Sequence, residues 1–286
     1  MTVEERVSFE GAGVTLVGDV AGPPEGAPVL FLHGSGQTRQ SWGKALIRAG
    51  ERGYRGIAVD MRGHGDSGWS PDGDYSLDVF AADLRALIPQ IGEELIVVGA
   101  SLGGLAGMLV ASSPQPRMGG LVLVDITSRI EMQGAMEVQA FMGSAAHGFA
   151  SLEEAADAVA AYLPHRTRPK DTSGLARNLR LRDGRYHWHW DPAMMRMGED
   201  AEARAKDNPL DRAARGLTLP TLLIRGGRSR IVSDEGVREF LEFVPHADYV
   251  DIPKADHMVA GDANDAFNDA VFTFVDKQVR SRAIKA

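Results

Sequence analysis

The stretch Val98-Gly99-Ala100-Ser101-Leu102-Gly103-Gly104 decides how the rest of the chain is read. It follows the apolar run Leu95-Ile96-Val97-Val98 and precedes a small-residue helical segment at 105–112, so the order is strand, tight turn, helix. In that order a G-x-S-x-G match has mechanical content, because the serine sits on a strained corner with its hydroxyl lifted clear of the sheet. Glycine is required at 99 and 103 because a Cβ there would crowd the neighbouring backbone. The corner is also a helix N-terminus, where unpaired N–H groups and the helix dipole favour developing negative charge. Ser101 is the candidate nucleophile.

Outward from this corner the same alternation repeats. Segments 7–10 and 14–20 read as two strands joined at Gly11-Ala12-Gly13, a hairpin at a sheet edge. Val29-Leu30-Phe31-Leu32 is a continuous apolar run of the kind buried on both faces of a parallel sheet. It ends in His33-Gly34-Ser35-Gly36-Gln37, a glycine-rich loop at the place where α/β proteins put ligand-binding backbone. A helix at 41–51 and the strand Gly56-Ile57-Ala58-Val59-Asp60 follow. Ser76 can cap a helix whose Phe80, Leu84, Leu87 and Ile88 keep i, i+4, i+7, i+8 spacing. Beyond the corner come strands at 121–125, 221–225 and 248–252, a helix at 234–243 and a closing helix at 263–279. Alternating strands and helices predict an α/β fold, a mostly parallel central sheet with helices on both faces. Between 128 and 215 the pattern changes to methionine- and arginine-rich helical pieces, prolines at 164, 169 and 192, and the cluster Tyr186-His187-Trp188-His189-Trp190. This predicts a helical cap over 128–215, inserted into a core formed by 1–127 and 216–286.

Composition narrows the chemistry. With 286 residues, 44% hydrophobic and 24% charged, the chain is long enough for one large core or a core with an insertion. A net charge of −8 and the lack of a basic block argue against a nucleic-acid partner. The absence of cysteine excludes disulfides, thiolate metal sites and a cysteine nucleophile. Met1-Thr2-Val3-Glu4-Glu5-Arg6 is charged and no run approaches the roughly 18 apolar residues of a spanning helix. The expectation is a cytoplasmic protein without a membrane partner. A homodimer stays open.

Gly99-Ala100-Ser101-Leu102-Gly103, His33-Gly34, Asp60-x-Arg62-Gly63-His64-Gly65-x-Ser67 and a late His257, in this order, resemble the α/β-hydrolase fold family in its serine hydrolase branch with a cap. The resemblance covers about residues 5–125 and 217–280. It implies a nucleophile, acid, base order along the chain, with His257 as the base that takes the Ser101 proton. It implies two backbone donors for an oxyanion, the N–H of Leu102 and that of Ser35. His33, Gly34, Gln37, Trp42, Trp188 and Trp190 are expected around the substrate pocket.

The acid is the difficult member. In many relatives an aspartate follows the seventh strand, but here that turn reads Gly226-Gly227-Arg228-Ser229-Arg230, with no acid at either expected place. Other members take it from the end of the preceding strand, a place held by Asp125 after Leu121-Val122-Leu123-Val124. Asp125 is the expected acid and Asp234 the alternative, while Asp256 adjoins His257 and would point elsewhere. His64 reads as a loop-fixing residue, and His187 with His189 lacks the third ligand a zinc site needs. No cofactor and no metal are expected. The cationic run from Arg166 to Arg185 reads as solvated helix faces rather than an anion trap. The reaction expected is hydrolysis of a small-molecule carboxylic ester or lactone through an acyl-enzyme. Alternatives are C–C bond hydrolysis, cofactor-free perhydrolase or haloperoxidase chemistry, and a small-molecule receptor with little turnover.

Overall fold

In a computed structural model that describes residues 5–114, 116–145, 147–163, 168, 170–196, 208–262 and 264–283, eight strands form one sheet. They are β1 (Glu5–Glu10), β2 (Thr15–Ala21), β3 (Pro28–Leu32), β4 (Arg55–Val59), β5 (Leu95–Ala100), β6 (Met118–Val124), β9 (Thr221–Gly226) and β10 (Asp248–Ile252), in the spatial order β1-β2-β4-β3-β5-β6-β9-β10. Only the pairs β1/β2 and β2/β4 are antiparallel, and β4 to β10 run parallel. The central strands β3, β5 and β6 are apolar throughout because successive side chains enter different cores. Leu30, Leu32, Val97, Leu121 and Leu123 pack on one face with Phe80, Leu84 and Leu87 of α2 (Leu77–Ile91) and Ala106 and Val110 of α3 (Leu102–Ala111). Val29, Phe31, Val98, Val122 and Val124 pack on the other with Leu46 of α1 (Gly43–Glu51) and Phe267, Val271 and Val275 of α9 (Asn264–Ala283).

Local signals place most boundaries, with two departures. Ser76 precedes α2 as expected, but its hydroxyl accepts no cap hydrogen bond. The hydroxyl of Ser233 does cap α7 (Asp234–Phe243), accepting from Gly236 N. The second departure lies between β6 and β9, where a helical cap is expected. There α4 (Met132–Gly143) and α5 (Leu152–Tyr162) are followed by an antiparallel hairpin of β7 (Leu179–Arg182) and β8 (Arg185–Trp188). Its turn is Asp183-Gly184, with φ of 50° and 74°, the left-handed pair that a two-residue hairpin turn requires. The insert's last helix, α6 (Pro209–Arg215), packs on α3 and α7 and so lies in the core's helical layer.

The insert is fastened to the loop after β4. Arg180 donates to Gly65 O and Asp66, Asp191 N donates to Gly63 O, and the Tyr75 hydroxyl donates to Asp191 Oδ2 at 2.6 Å. Among the described residues no helix is long and apolar enough to cross a membrane. The expected features at Pro164, His165, Arg166 and Pro169 lie outside the described residues.

Candidate active site

The corner between β5 and α3 is as tight as its glycines imply. Ser101 has φ 45° and ψ −113°, a conformation sparsely populated for a residue with a side chain. A Cβ on Gly99 would lie 2.5 Å from the carbonyl carbon and oxygen of Gly103. One on Gly103 would lie 2.5 Å from Leu32 O. Strand, corner and helix therefore interlock only without those side chains, and the corner lifts Ser101 to a cavity of about 250 Å³. Helix α3 begins at Leu102, and neither Leu102 N nor Ser35 N donates to a protein acceptor among the described residues. The loop after β3 comes close enough that a Cβ on Gly34 would sit 3.1 Å from Ser101 Cβ.

That loop is held by hydrogen bonds from below. Gln37 accepts from Gly34 N through Oε1 and donates its own N–H to Gly34 O. His33 Nδ1 donates to Gly34 O at 2.8 Å while its Nε2 accepts from Met61 N. His64 Nε2 accepts from Gly36 N at 3.1 Å, its Nδ1 donating to Arg62 O. His189, from the insert, accepts from Gly65 N through Nδ1. The rings of His33 and His64 are 4.8 Å apart and those of His64 and His189 5.9 Å. Burial pushes His33 down to about 4. Burial, with the charge His33 would carry, pushes His64 down to about 3. His189 is held well below its ordinary value, again chiefly by burial. All three are neutral near pH 7, which is what their acceptor roles demand.

At the other side of the cavity, His257 follows β10 and is 21% exposed. Its Nδ1 lies 2.7 Å from Asp125 Oδ2. Asp125, at the end of β6, is fully buried and has φ 51°. Its Oδ1 accepts from Gly226 N at 2.9 Å, and its Oδ2 also accepts from the Ser229 hydroxyl. Ser101 and His257 line the same cavity, and no hydrogen bond joins their side chains in this structure. Catalytic contacts in unliganded sites are often open in this way and tighten on binding.

Three expected positions are corrected. Asp234 is 76% exposed and pairs with Arg225 rather than with the imidazole. Trp42 is 1% exposed, with its ring 5.5 Å from Phe31 and 5.8 Å from Phe267, so it belongs to the α1/α9 core and not to the pocket. His33 is fully buried beneath the loop it braces and does not line the cavity. Gly34, Ser35, Gln37, Trp188 and Trp190 do line it. The sequence reading missed Phe141, Tyr162, Asn178 and Met258, which also line it. Phe141 and Tyr162 stack at 4.3 Å and Trp188 and Trp190 at 4.9 Å, one aromatic wall built from three parts of the insert. Ser229, noted only as a non-acid, is also part of the site. Three members of the cationic run are engaged outside the cavity: Arg168 pairs with Asp157, Arg182 lies over Trp69 and Arg185 donates to the carbonyls of His147 and Gly148. Among the described residues no three His, Asp or Glu side chains form a group that could hold a metal ion.

Residues 27–263 match the family model described as the alpha/beta hydrolase fold. The chain belongs to the α/β-hydrolase fold family. The chain is 35% identical over 245 residues to an esterase of Mycobacterium tuberculosis, covering 82% of this chain and 78% of the relative. It is 28% identical over 258 residues to a 2-(acetamidomethylene)succinate hydrolase of Mesorhizobium japonicum, covering 88% of each chain. A crystal structure of an E-2-(acetamidomethylene)succinate hydrolase superposes with a TM-score of 0.83 at 25% identity, over 95% of this chain and 99% of that one. Along the chain the order of these three residues is Ser101, Asp125, His257.

Proposed function

We propose that the protein is a serine hydrolase that cleaves a carboxylic ester or lactone of a small, largely apolar molecule. The observation that carries this reading is the Asp125–His257 contact of 2.7 Å beside the cavity onto which the Ser101 corner opens. Ser101 Oγ attacks the carbonyl carbon while His257 Nε2 takes its proton. Asp125 keeps the proton of the imidazole on Nδ1 and stabilises the imidazolium that forms. The N–H groups of Ser35 and Leu102 receive the oxyanion. Collapse expels the alcohol, protonated by His257, and a water activated by the same imidazole then releases the acid.

The insert acts as a cap. Its aromatic wall of Phe141, Tyr162, Trp188 and Trp190 offers flat apolar surface to the substrate, with Asn178 as a polar contact. A volume of about 250 Å³ suits a compact ester, lying just under the roughly 300 Å³ lower bound of ordinary ligand clefts. The esterase among the relatives points the same way. The Asp125–His257 contact supports turnover over the receptor alternative.

The test is hydrolysis of p-nitrophenyl acetate and butyrate by the protein and by Ser101→Ala. The substitution is expected to lower kcat by about 10⁴- to 10⁶-fold, and a fluorophosphonate is expected to label Ser101 in the unsubstituted protein alone. Turnover that survives the substitution overturns the reading.

A further inference from the structure

We propose that Ser229 is a positioning residue for the acid, its hydroxyl holding Asp125 Oδ2 where His257 needs it. This rests on the reading of Ser101, His257 and Asp125 given above. Asp125 is a fully buried carboxylate, so each of its oxygens needs a donor from the protein. Oδ1 has Gly226 N at 2.9 Å. Oδ2 has two donors, His257 Nδ1 at 2.7 Å and Ser229 Oγ at 2.5 Å.

The direction of the serine proton is fixed by what its oxygen accepts. Ile231 N donates to Ser229 Oγ at 3.1 Å and Val232 N at 3.2 Å. A hydroxyl has two acceptor directions and one proton. With both acceptor directions filled by backbone, the proton goes to Asp125. The carboxylate is thus gripped at Oδ1 by the end of β9 and at Oδ2 by the following turn, and it cannot rotate without losing one of them.

The same turn also sets the place of the base. Gly227 N donates to Ile252 O and Arg228 N donates to Ala255 O, zipping the turn to the segment that leads into His257. Ser229 N donates to Gly226 O at 2.8 Å, closing the turn on itself. Acid and imidazole therefore take their relative position from one short piece of backbone, and Ser229 is the side chain that joins it to the carboxylate. Removing the hydroxyl leaves Oδ2 with His257 as its only donor and leaves two N–H groups facing a gap. Asp125 is then free to turn away from Nδ1, which weakens the hold on the imidazole without touching the substrate cavity.

The experiment compares Ser229→Ala, Ser229→Thr and Ser229→Cys with the unsubstituted protein and with Ser101→Ala. It uses p-nitrophenyl butyrate hydrolysis, melting temperature and the low-field proton resonance of His257 Nδ1–H. Ser229→Ala is expected to lower kcat by about 10- to 100-fold, by analogy with the loss seen when the hydrogen-bond partners of metal-ligating residues are removed, with KM changed less than about twofold. Ser229→Thr, which keeps the hydroxyl, is expected to restore kcat to within about threefold and to retain the resonance. Ser229→Cys, of similar size but a weak donor, falls between them and keeps the test open if the alanine variant does not fold. An unchanged kcat in the alanine and cysteine variants overturns the proposal. So does a loss that threonine does not rescue while the resonance stays where it was. Turnover indifferent to Ser101→Ala would instead overturn the serine hydrolase reading, and the response of the resonance to residue 229 is readable without any turnover.

Discussion

Ser101 and Asp125 share an uncommon property, positive φ at a residue with a side chain. Each ends a parallel strand at the same edge of the sheet, where the chain must leave abruptly and a side chain must point away from the core. Such strain is tolerated only where the surroundings over-determine it. Asp125 is over-determined by Gly226 N, Ser229 Oγ and its own N–H donating to Ile224 O at 2.7 Å. Asp125→Asn keeps this shape but can place an amide N–H against the imidazole. It is expected to lower kcat by about 10³- to 10⁴-fold, with KM little changed. Asp234→Asn alters an exposed partner of Arg225 and is expected to leave both constants as they were; steady-state kinetics on one ester checks the pair. Ser101 and His257 were legible from motif and chain order. Asp125 was legible only because Ser229 and Arg230 are not acids. Ser229's own role was not legible, since a hydroxyl's partner depends on where Ile231 and Val232 direct their N–H groups.

The elements most legible in sequence are those with the most uniform surroundings. Strands such as β3 and β5 are apolar without interruption because both faces are covered, and no competing pattern fits runs so short. The hairpin of β7 and β8 was hidden by the opposite condition. Its strands have four residues each, carry arginine at 180, 182 and 185, and owe their order to the aromatic wall rather than to any period. The Asp183-Gly184 pair was nonetheless a direct hairpin signal. The corner glycines give a prediction at this scale. Gly103→Ala would place a methyl 2.5 Å from Leu32 O and 2.7 Å from Leu32 Cβ. With backbone as the obstacle, the substitution is expected to destabilise the fold by about 1–3 kcal/mol, read from the midpoint of urea unfolding.

For the molecule as a whole, the three buried histidines set a limit on acid tolerance. His33 and His64 are neutral in the fold down to about 4 and about 3, against 6.5 when exposed, and His189 is shifted in the same direction. Between pH 6.5 and about 4 the unfolded chain binds protons at His33 and His64 and the folded chain does not. Stability fully present above pH 6.5 is therefore lost as the pH falls, by about 1.4 kcal/mol per pH unit for each of His33 and His64. Asp66 does not offset this. Burial would raise it, but Arg39, Arg6 and Arg180 together outweigh burial and lower it below 3.8, and its contribution is still intact throughout the window. The urea midpoint is expected to drop steeply from pH 7.5 to pH 5, and His64→Gln, which can accept from Gly36 N without titrating, should flatten that slope. An unchanged slope would mean the rings are solvated.

The division of labour between the two parts of the chain has a further consequence. Every group assigned to bond breaking stands on the core, just beyond the ends of β3, β5, β6 and β10, whereas the aromatic wall is supplied by the segment threaded between β6 and β9. Transplanting that segment from a sister enzyme would exchange the menu of accepted molecules while the engine beneath kept running, provided the graft brought its own counterparts of Arg180, His189 and Asp191 to grip the 63–66 loop.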